Sequence, residues 1–258
     1  MRGFPEIRCE ITDEERILLS HAEDMINGCD RDYTPRFSQF LDERQAMLIK
    51  MLLDGRHIDK YRFFGGYEGA VRTMLCIYPE YCEPENKDYP ITAVRFSFRE
   101  QDHPTHSQFL GTIMSLQIKR SMVGDIIVGN GCTDVFLTGA AADSAMFIEK
   151  VGRVGVKPAV IDGTGITRED DFEELSASVS SLRLDCVASA AIKLSRDKTS
   201  AFIRSEGIEL NHCRVYAPDK ILEYGDVFSV RGHGKFILSE IGGRSRRDRI
   251  FITLKKYR

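Results

Sequence analysis

Arg183, Arg196, Lys198 and Arg204 crowd one short stretch of the chain. Guanidinium and ammonium groups at this density suit oxyanions. For a phosphate backbone, charge-assisted hydrogen bonds supply both affinity and orientation. A second group, Arg62, Tyr67 and Arg72, flanks the paired glycines Gly65-Gly66 in YRFFGGYEGAVR, where a tight turn sets a stacking ring beside two cations. With Lys119 and Arg120 these residues form a candidate second RNA contact. The competing reading of this segment is a strand-turn corner in which Phe63 and Phe64 are simply core.

Signatures of nucleotide binding, metal binding and covalent catalysis are missing. Gly129-Asn130-Gly131 and Gly163-Thr164-Gly165 do not extend to G-x-G-x-x-G, and no P-loop, G-x-S-x-G or H-E-x-x-H pattern occurs. His103 and His106 are separated by Pro104 and have no third ligand spaced nearby. The cysteines (Cys9, Cys29, Cys76, Cys82, Cys132, Cys186, Cys213) are odd in number, scattered and without a C-x-x-C pair, which predicts reduced, packed thiols. The expectation is a protein that holds no cofactor and no metal and is not an enzyme.

The chain has 258 residues, enough for two or three compact units. Its net charge of −3 hides an asymmetry: residues 181–258 carry 16 Lys and Arg against 9 Asp and Glu, whereas residues 1–180 carry 20 against 30. A basic third on an acidic body points to a localised polyanion contact. No apolar run approaches the roughly 20 residues of a membrane helix. The segment MRGFPEIRCEITDEE lacks the pattern of a signal peptide. The expected location is the cytoplasm, with no membrane contact.

The elements that must position these residues follow from periodicity and punctuation. Residues 1–90 read as mainly helical: a capping box at Thr12–Glu15 opens a helix that Gly28 stops, and a second helix runs from Asp42 to Gly55. Between them CDRDYTPRFSQF reads as a polar loop. Residues 91–165 give strand, helix, strand, strand, helix, strand, which predicts a ferredoxin-like (βαββαβ) middle domain. Its candidate aromatics are Phe96, Phe98 and Phe136, but no RNP1-type run is present and Phe96 and Phe98 share a face with Val94. Residues 166–181 read as a linker, with a short element between Asp170 and Leu175. Residues 182–258 form a small α+β module, so the fold class of the whole is α+β.

In that module Leu184, Val187, Ala188, Ala191 and Ile192 make one apolar stripe, Ser195 caps a second helix, and Gly207 closes it. Ile208 and Leu210 alternate in a strand, and Asn211-His212 turns it. The order RLD, SR, EGIELN, PDK and YGDVFSVRGHGKF resembles the RNA-binding domain first described in small-subunit ribosomal protein S-four. The resemblance implies an L-shaped surface for structured RNA, lined by Arg183, Ser195, Arg196, Lys198 and Arg204. It assigns turns to Gly207, Asn211, Gly225 and Asp226, Asn211 being counted among the contacts, and flanking phosphate contacts to Lys220, Arg231 and Lys235. The triplet Arg183-Leu184-Asp185 also resembles that of pseudouridine synthases, whose aspartate is the nucleophile. There a Thr-x-Gly pattern follows; here Cys186-Val187-Ala188-Ser189 follows, which favours a capping or arginine-pairing role for Asp185.

FFGGYEGAVR and THSQFLGTIMSLQIKRSMVGDIIV extend the likeness over most of the chain, and are similar to the YlmH family of bacterial proteins. Val71 and Ser107-Gln108 depart from that family's pattern. The resemblance implies partners in ribosomal RNA, tRNA and the large ribosomal subunit, in rescue of stalled nascent chains. The alternatives are a pseudouridine synthase-like RNA-modifying enzyme and an interaction factor associated with cell division.

Overall fold

The computed structural model describes residues 4, 7, 9–163, 165–168, 172–245 and 247–257. The chain divides into two compact units, the first holding Ile11–Arg168 and the second Glu169–Arg258. Both mix helices with antiparallel sheet.

The first unit begins with α1 (Asp13–Asp32), where Thr12 and Glu15 exchange the two bonds of the expected capping box. The helix does not stop at Gly28. It runs on to Asp32, and Tyr33, in the left-handed conformation, closes it. Gly28 serves packing instead, since a Cβ there would lie 3.5 Å from the Arg36 side chain. Strand β1 (Arg36–Leu41) occupies the segment that reads as a polar loop, and α2 (Glu43–Gly55) follows from its cap at Asp42. Next come β2 (Tyr61–Phe64) and β3 (Thr73–Ile77), and β3 sits between β1 and β2. The expectation of a mainly helical region is therefore corrected. Its centre is a buried strand, TMLCI, too short to announce itself by period alone.

The chain continues through β4 (Ile91–Ser97), α3 (His106–Ser115), β5 (Val123–Val128), β6 (Cys132–Thr138) and α4 (Gly139–Ala145). A two-residue hairpin, β7 (Lys150–Val151) with β8 (Val154–Gly155), precedes β9 (Lys157–Ile161). The four long strands form one sheet in the order β5-β6-β4-β9, every neighbouring pair antiparallel. Alternation divides its faces. Val94, Phe96, Val135 and Leu137 meet Phe109 and Ile113 of α3 and the alanines of α4.

Ala93 and Phe136 point to the other face, where Phe40, Tyr67, Met74, Cys76 and Tyr89 cover them. Tyr67 stacks on Phe136 with ring centroids 4.9 Å apart. Phe40 lies so close to Gly124 that a Cβ there would come within 2.6 Å of its ring. Gly66, with φ +103°, admits no side chain either, because a Cβ would meet Phe136 at 2.3 Å. The boundary expected at residue 90 consequently does not exist as a domain boundary. The three-stranded and four-stranded sheets share one core.

The second unit opens with β10 (Phe172–Val179), then α5 (Leu184–Ile192), α6 (Arg196–Glu206), β11 (Ile208–Leu210), β12 (Cys213–Val215), β13 (Val227–Val230), β14 (Gly234–Arg244) and β15 (Ile250–Tyr257). Its six-stranded sheet runs β10-β15-β14-β13-β11-β12. Leu184, Val187, Ala188 and Ala191 of α5 and Ile203 of α6 pack on Phe228, Phe236, Leu238, Ile252 and Leu254. The expected linker 166–181 is corrected as well. Residues 172–179 pair along their whole length with β15, from Phe172 opposite Tyr257 to Val179 opposite Ile250. Asp170 and Asp171, the start of the short element read there, lie outside the described residues.

Val179, 3% exposed, belongs to this core. Val179→Asp places an unpaired carboxylate on the inner face of the sheet and is expected to cost roughly 3 kcal/mol or more in chemical denaturation. A linker residue would tolerate the change with almost no loss.

Candidate nucleic-acid interface

The site on the second unit is organised by a carboxylate. Asp185, 3% exposed, receives Arg183 through both oxygens (Nε to Oδ1 3.1 Å, Nη2 to Oδ2 3.2 Å) and Arg196 through Nε to Oδ2 at 3.0 Å. Burial pushes the Asp185 carboxyl up, but the bonds from Arg183 and Arg196 outweigh it and hold the group below the ordinary aspartate range. The two arginines keep 35% and 49% of their side chains exposed, so each presents a free edge outward while its inner edge is fixed. Asp185 therefore pairs arginines. It does not cap α5, since the cap residue is Arg183 and no side chain bonds there.

The backbone around residue 220 is tied to the same point. Leu184 N–H donates to Lys220 O at 2.7 Å, Asp185 N–H to Pro218 O at 2.9 Å, and Leu222 N–H to Leu182 O at 2.8 Å. Lys220 is thus fixed beside Arg183 and exposed. Lys193, left-handed at φ 55°, ends α5, and Ser195 opens α6 by accepting Lys198 N–H at 3.4 Å. Along α6 a residue advances about 100°, so Lys198 falls roughly 160° around the helix from Arg196, whereas Arg204 is about 80° away and 12 Å along. Arg204 therefore falls on the Arg196 flank of α6 and Lys198 on the opposite flank, while Lys220 lies beside Arg183 in the backbone.

Three expected contacts change role. Asn211 uses both ends of its amide internally, donating to Asp226 at 2.7 Å and accepting Val227 N–H at 2.9 Å, so it builds the turn. Lys235 sits over the Tyr257 ring at 5.0 Å, and alternation with the buried Phe236 puts it on the face of the sheet away from the helices. Ser195 contributes a cap. Arg231 is exposed at the β13–β14 turn.

On the first unit the candidate second contact also separates into parts. Arg62 donates to Pro84 O (3.1 Å) and Asn86 Oδ1 (2.6 Å), which makes it part of the framework. Tyr67, 5% exposed, donates to Asp125 at 2.6 Å, and burial, then that bond, raise its phenol above the ordinary range. Lys119 is exposed, and Arg72 and Arg120 are half-buried. Phe96 and Phe136 are fully buried on opposite faces of their sheet, so neither offers a ring to a base.

An open cleft of about 640 Å³ beside Gly66 has a mainly apolar floor of Ile91, Ala93, Phe136 and Ile161. Burial drives the Cys76 thiol up to about 12, away from nucleophilic use, and no disulfide joins any of the seven cysteines. Among the described residues no group of three or more His, Cys, Asp or Glu side chains converges as metal ligands, and no helix is long and apolar enough to cross a membrane.

Fold and site define an α+β protein with a cationic surface built on a buried carboxylate. A family model described as "Putative RNA-binding domain in YlmH" matches residues 84–164. The chain is 26% identical to "Ribosome-associated protein quality control protein P2" of Bacillus subtilis (strain 168), over 94% of this chain and 95% of that protein. In structure it is similar to "Cell division protein ylmH from Streptococcus pneumoniae", with a TM-score of 0.51 and 20% identity over 60% of this chain and 95% of that one, a likeness of fold. These findings support the YlmH resemblance carried by the sequence motifs.

The Asp185 cluster predicts a pH-dependent stability. A carboxyl held below its unfolded value stabilises the fold in full above 3.8, the ordinary aspartate value, and loses that contribution as pH falls through the lower folded value. Asp185→Asn is expected to cost about 1–2 kcal/mol at pH 7, modest because both arginines stay partly solvated. The gap from wild type should close in denaturation curves taken in acid below that range.

Proposed function

We propose that this chain is a non-catalytic RNA-binding adaptor that works on the ribosome, docking on structured ribosomal RNA or tRNA of the large subunit when translation stalls. The observation that carries the reading is the pair of arginines locked by Asp185, with Lys220 held beside Arg183 in the backbone and Arg204 on the Arg196 flank of α6. A fixed inner edge lowers the entropy cost of presenting the outer edge, and oriented guanidinium donors match phosphate oxygens. The second unit is read as an S-four-type domain, in keeping with its two short helices packed on a sheet and the motif order along them. The four-stranded sheet of the first unit is read as ferredoxin-like, its element order and antiparallel strand order agreeing with that topology.

Support for a ribosomal setting comes from the full-length likeness to a protein named for ribosome-associated quality control, and support for RNA from the family model over residues 84–164. The adaptor reading is favoured over a modifying enzyme because Asp185, the one tempting nucleophile, is buried and bound by two cations. The proposed location is the cytoplasm, where the ribosomes are.

Arg183 and Arg196 make poor probes, since losing both leaves Asp185 unpaired and threatens the fold. Arg204→Glu with Lys220→Glu alters the cations flanking them without that penalty. The double variant is expected to bind ribosomal RNA or tRNA at least about tenfold more weakly, with a salt slope shallower by roughly 1.4–1.8. Lys198→Glu, on the other flank of α6, should do much less. Unchanged affinity and slope in the double variant would overturn the surface.

A further inference from the structure

The first unit contains two guanidinium groups whose charge is not met by a bound carboxylate. Arg72 Nε donates to Val123 O at 3.0 Å, and Arg120 Nη1 donates to the same oxygen at 2.5 Å. Arg72 Nη2 reaches Phe40 O at 3.3 Å and Arg120 O at 3.4 Å, and Arg120 Nη1 also approaches Gly124 O at 3.4 Å. Two like charges converge on one carbonyl, half-buried; Asp42 and Asp125 act on both without a direct bond, and an anion seated at the two guanidiniums would relieve their mutual repulsion.

The carboxylates nearby are otherwise engaged. Asp125 accepts Tyr67 O–H at 2.6 Å, Val71 N–H at 2.8 Å and Arg72 N–H at 3.1 Å. Asp42 accepts Gln45 N–H in the cap of α2. Neither binds a guanidinium, and Arg72 and Arg120 form no ion pair among the described residues. Three donors remain: Arg72 Nη1 and Arg120 Nε and Nη2 have no acceptor among the described residues, and none is a buried orphan, so they face solvent.

We propose that Arg72 and Arg120 form a binding site for the oxyanion of a phosphate group. Lys119, exposed and next to Arg120 in sequence, adds a third cation at the rim. The ligand chemistry is a tetrahedral phosphate, either a phosphodiester of RNA or free phosphate. The RNA source rests on the adaptor reading above, while the site itself does not. The site narrows the candidate second contact to Arg72, Arg120 and Lys119, with Tyr67 bonding the neighbouring Asp125 and Arg62 held elsewhere by Pro84 and Asn86.

His106 reports on occupancy. Burial first, then the charges of Arg120 and Arg168, hold its imidazole below the usual histidine range, with Asp125 opposing them. Arg72 and Asp42 act on the same cluster through Arg120. A bound phosphate favours the imidazolium, so its arrival must raise the titration midpoint of His106.

The test follows the His106 ring protons by NMR in the full chain, assigned by their loss in His106→Gln, in phosphate-free buffer at constant ionic strength. Inorganic phosphate and a short unstructured oligouridylate are added separately. A raised midpoint with either probe upholds the site. A response to the oligouridylate marks an RNA contact, and a response to inorganic phosphate alone marks a free-anion site. Arg120→Gln should raise the midpoint without ligand and abolish the response. If this variant fails to fold, the wild-type titration still decides. A midpoint that neither probe moves overturns the proposal. The Arg204→Glu, Lys220→Glu variant should keep the His106 response, so failure of the second unit's surface and failure of this site are told apart.

Discussion

A carboxylate withdrawn from water needs donors, and the donors it finds decide what its neighbours are left to do. Asp185 is held by two arginines, and the pairing fixes the angle at which their outer edges meet solvent. Asp125 is satisfied by a tyrosine hydroxyl and two backbone amides, so the guanidiniums near it are left without a direct carboxylate bond. The same residue type thus prepares cations in two ways. One pre-orients them by direct pairing; the other acts on them without a direct bond. Both need a rigid scaffold, which the backbone around residue 220 supplies in one unit and the loop between Tyr67 and Arg72 supplies in the other.

The two aromatic faces of the four-stranded sheet offer no ring for a base to stack on. Phe96 belongs to the helix-covered side, and Phe136 is sealed by Tyr67 and Phe40. Glycine makes that seal possible at Gly66 and Gly124, where any side chain would collide with a phenyl ring. What the sheet leaves at its border are cations and a histidine, groups that grip a backbone and do not read a base.

Much of this was legible in the sequence where a signal is local. The Thr12 box, the start at Asp42, the Ser195 cap and Gly207 are each set by neighbours a few positions away, and each appears where expected. The order of elements over residues 91–161 was equally readable, because its strands and helices switch period cleanly. Strand β1 was not, since six residues after a proline carry little pattern and their partner lies more than thirty positions on. Strand β10 did leave a trace: Leu175, Ala177 and Val179 alternate toward the core, masked by glutamates and serines on the open face. Site geometry depended on longer range still. That Asp185 would hold Arg196, or that Arg72 and Arg120 would meet at Val123, follows from packing between distant segments. Lys198 and Arg204 looked equivalent in sequence and are separated by the turn of one helix.

The register of β10 against β15 has an architectural consequence. Phe172 opposes Tyr257, which brings the first residue of one strand and the last of the other to within about 5 Å, the spacing of a cross-strand pair. The helix pair and all six strands are therefore strung between two points that nearly touch. Such a body behaves like a cassette: it can be spliced into a surface loop of an unrelated host through a single narrow doorway, with little distortion of the fold that receives it.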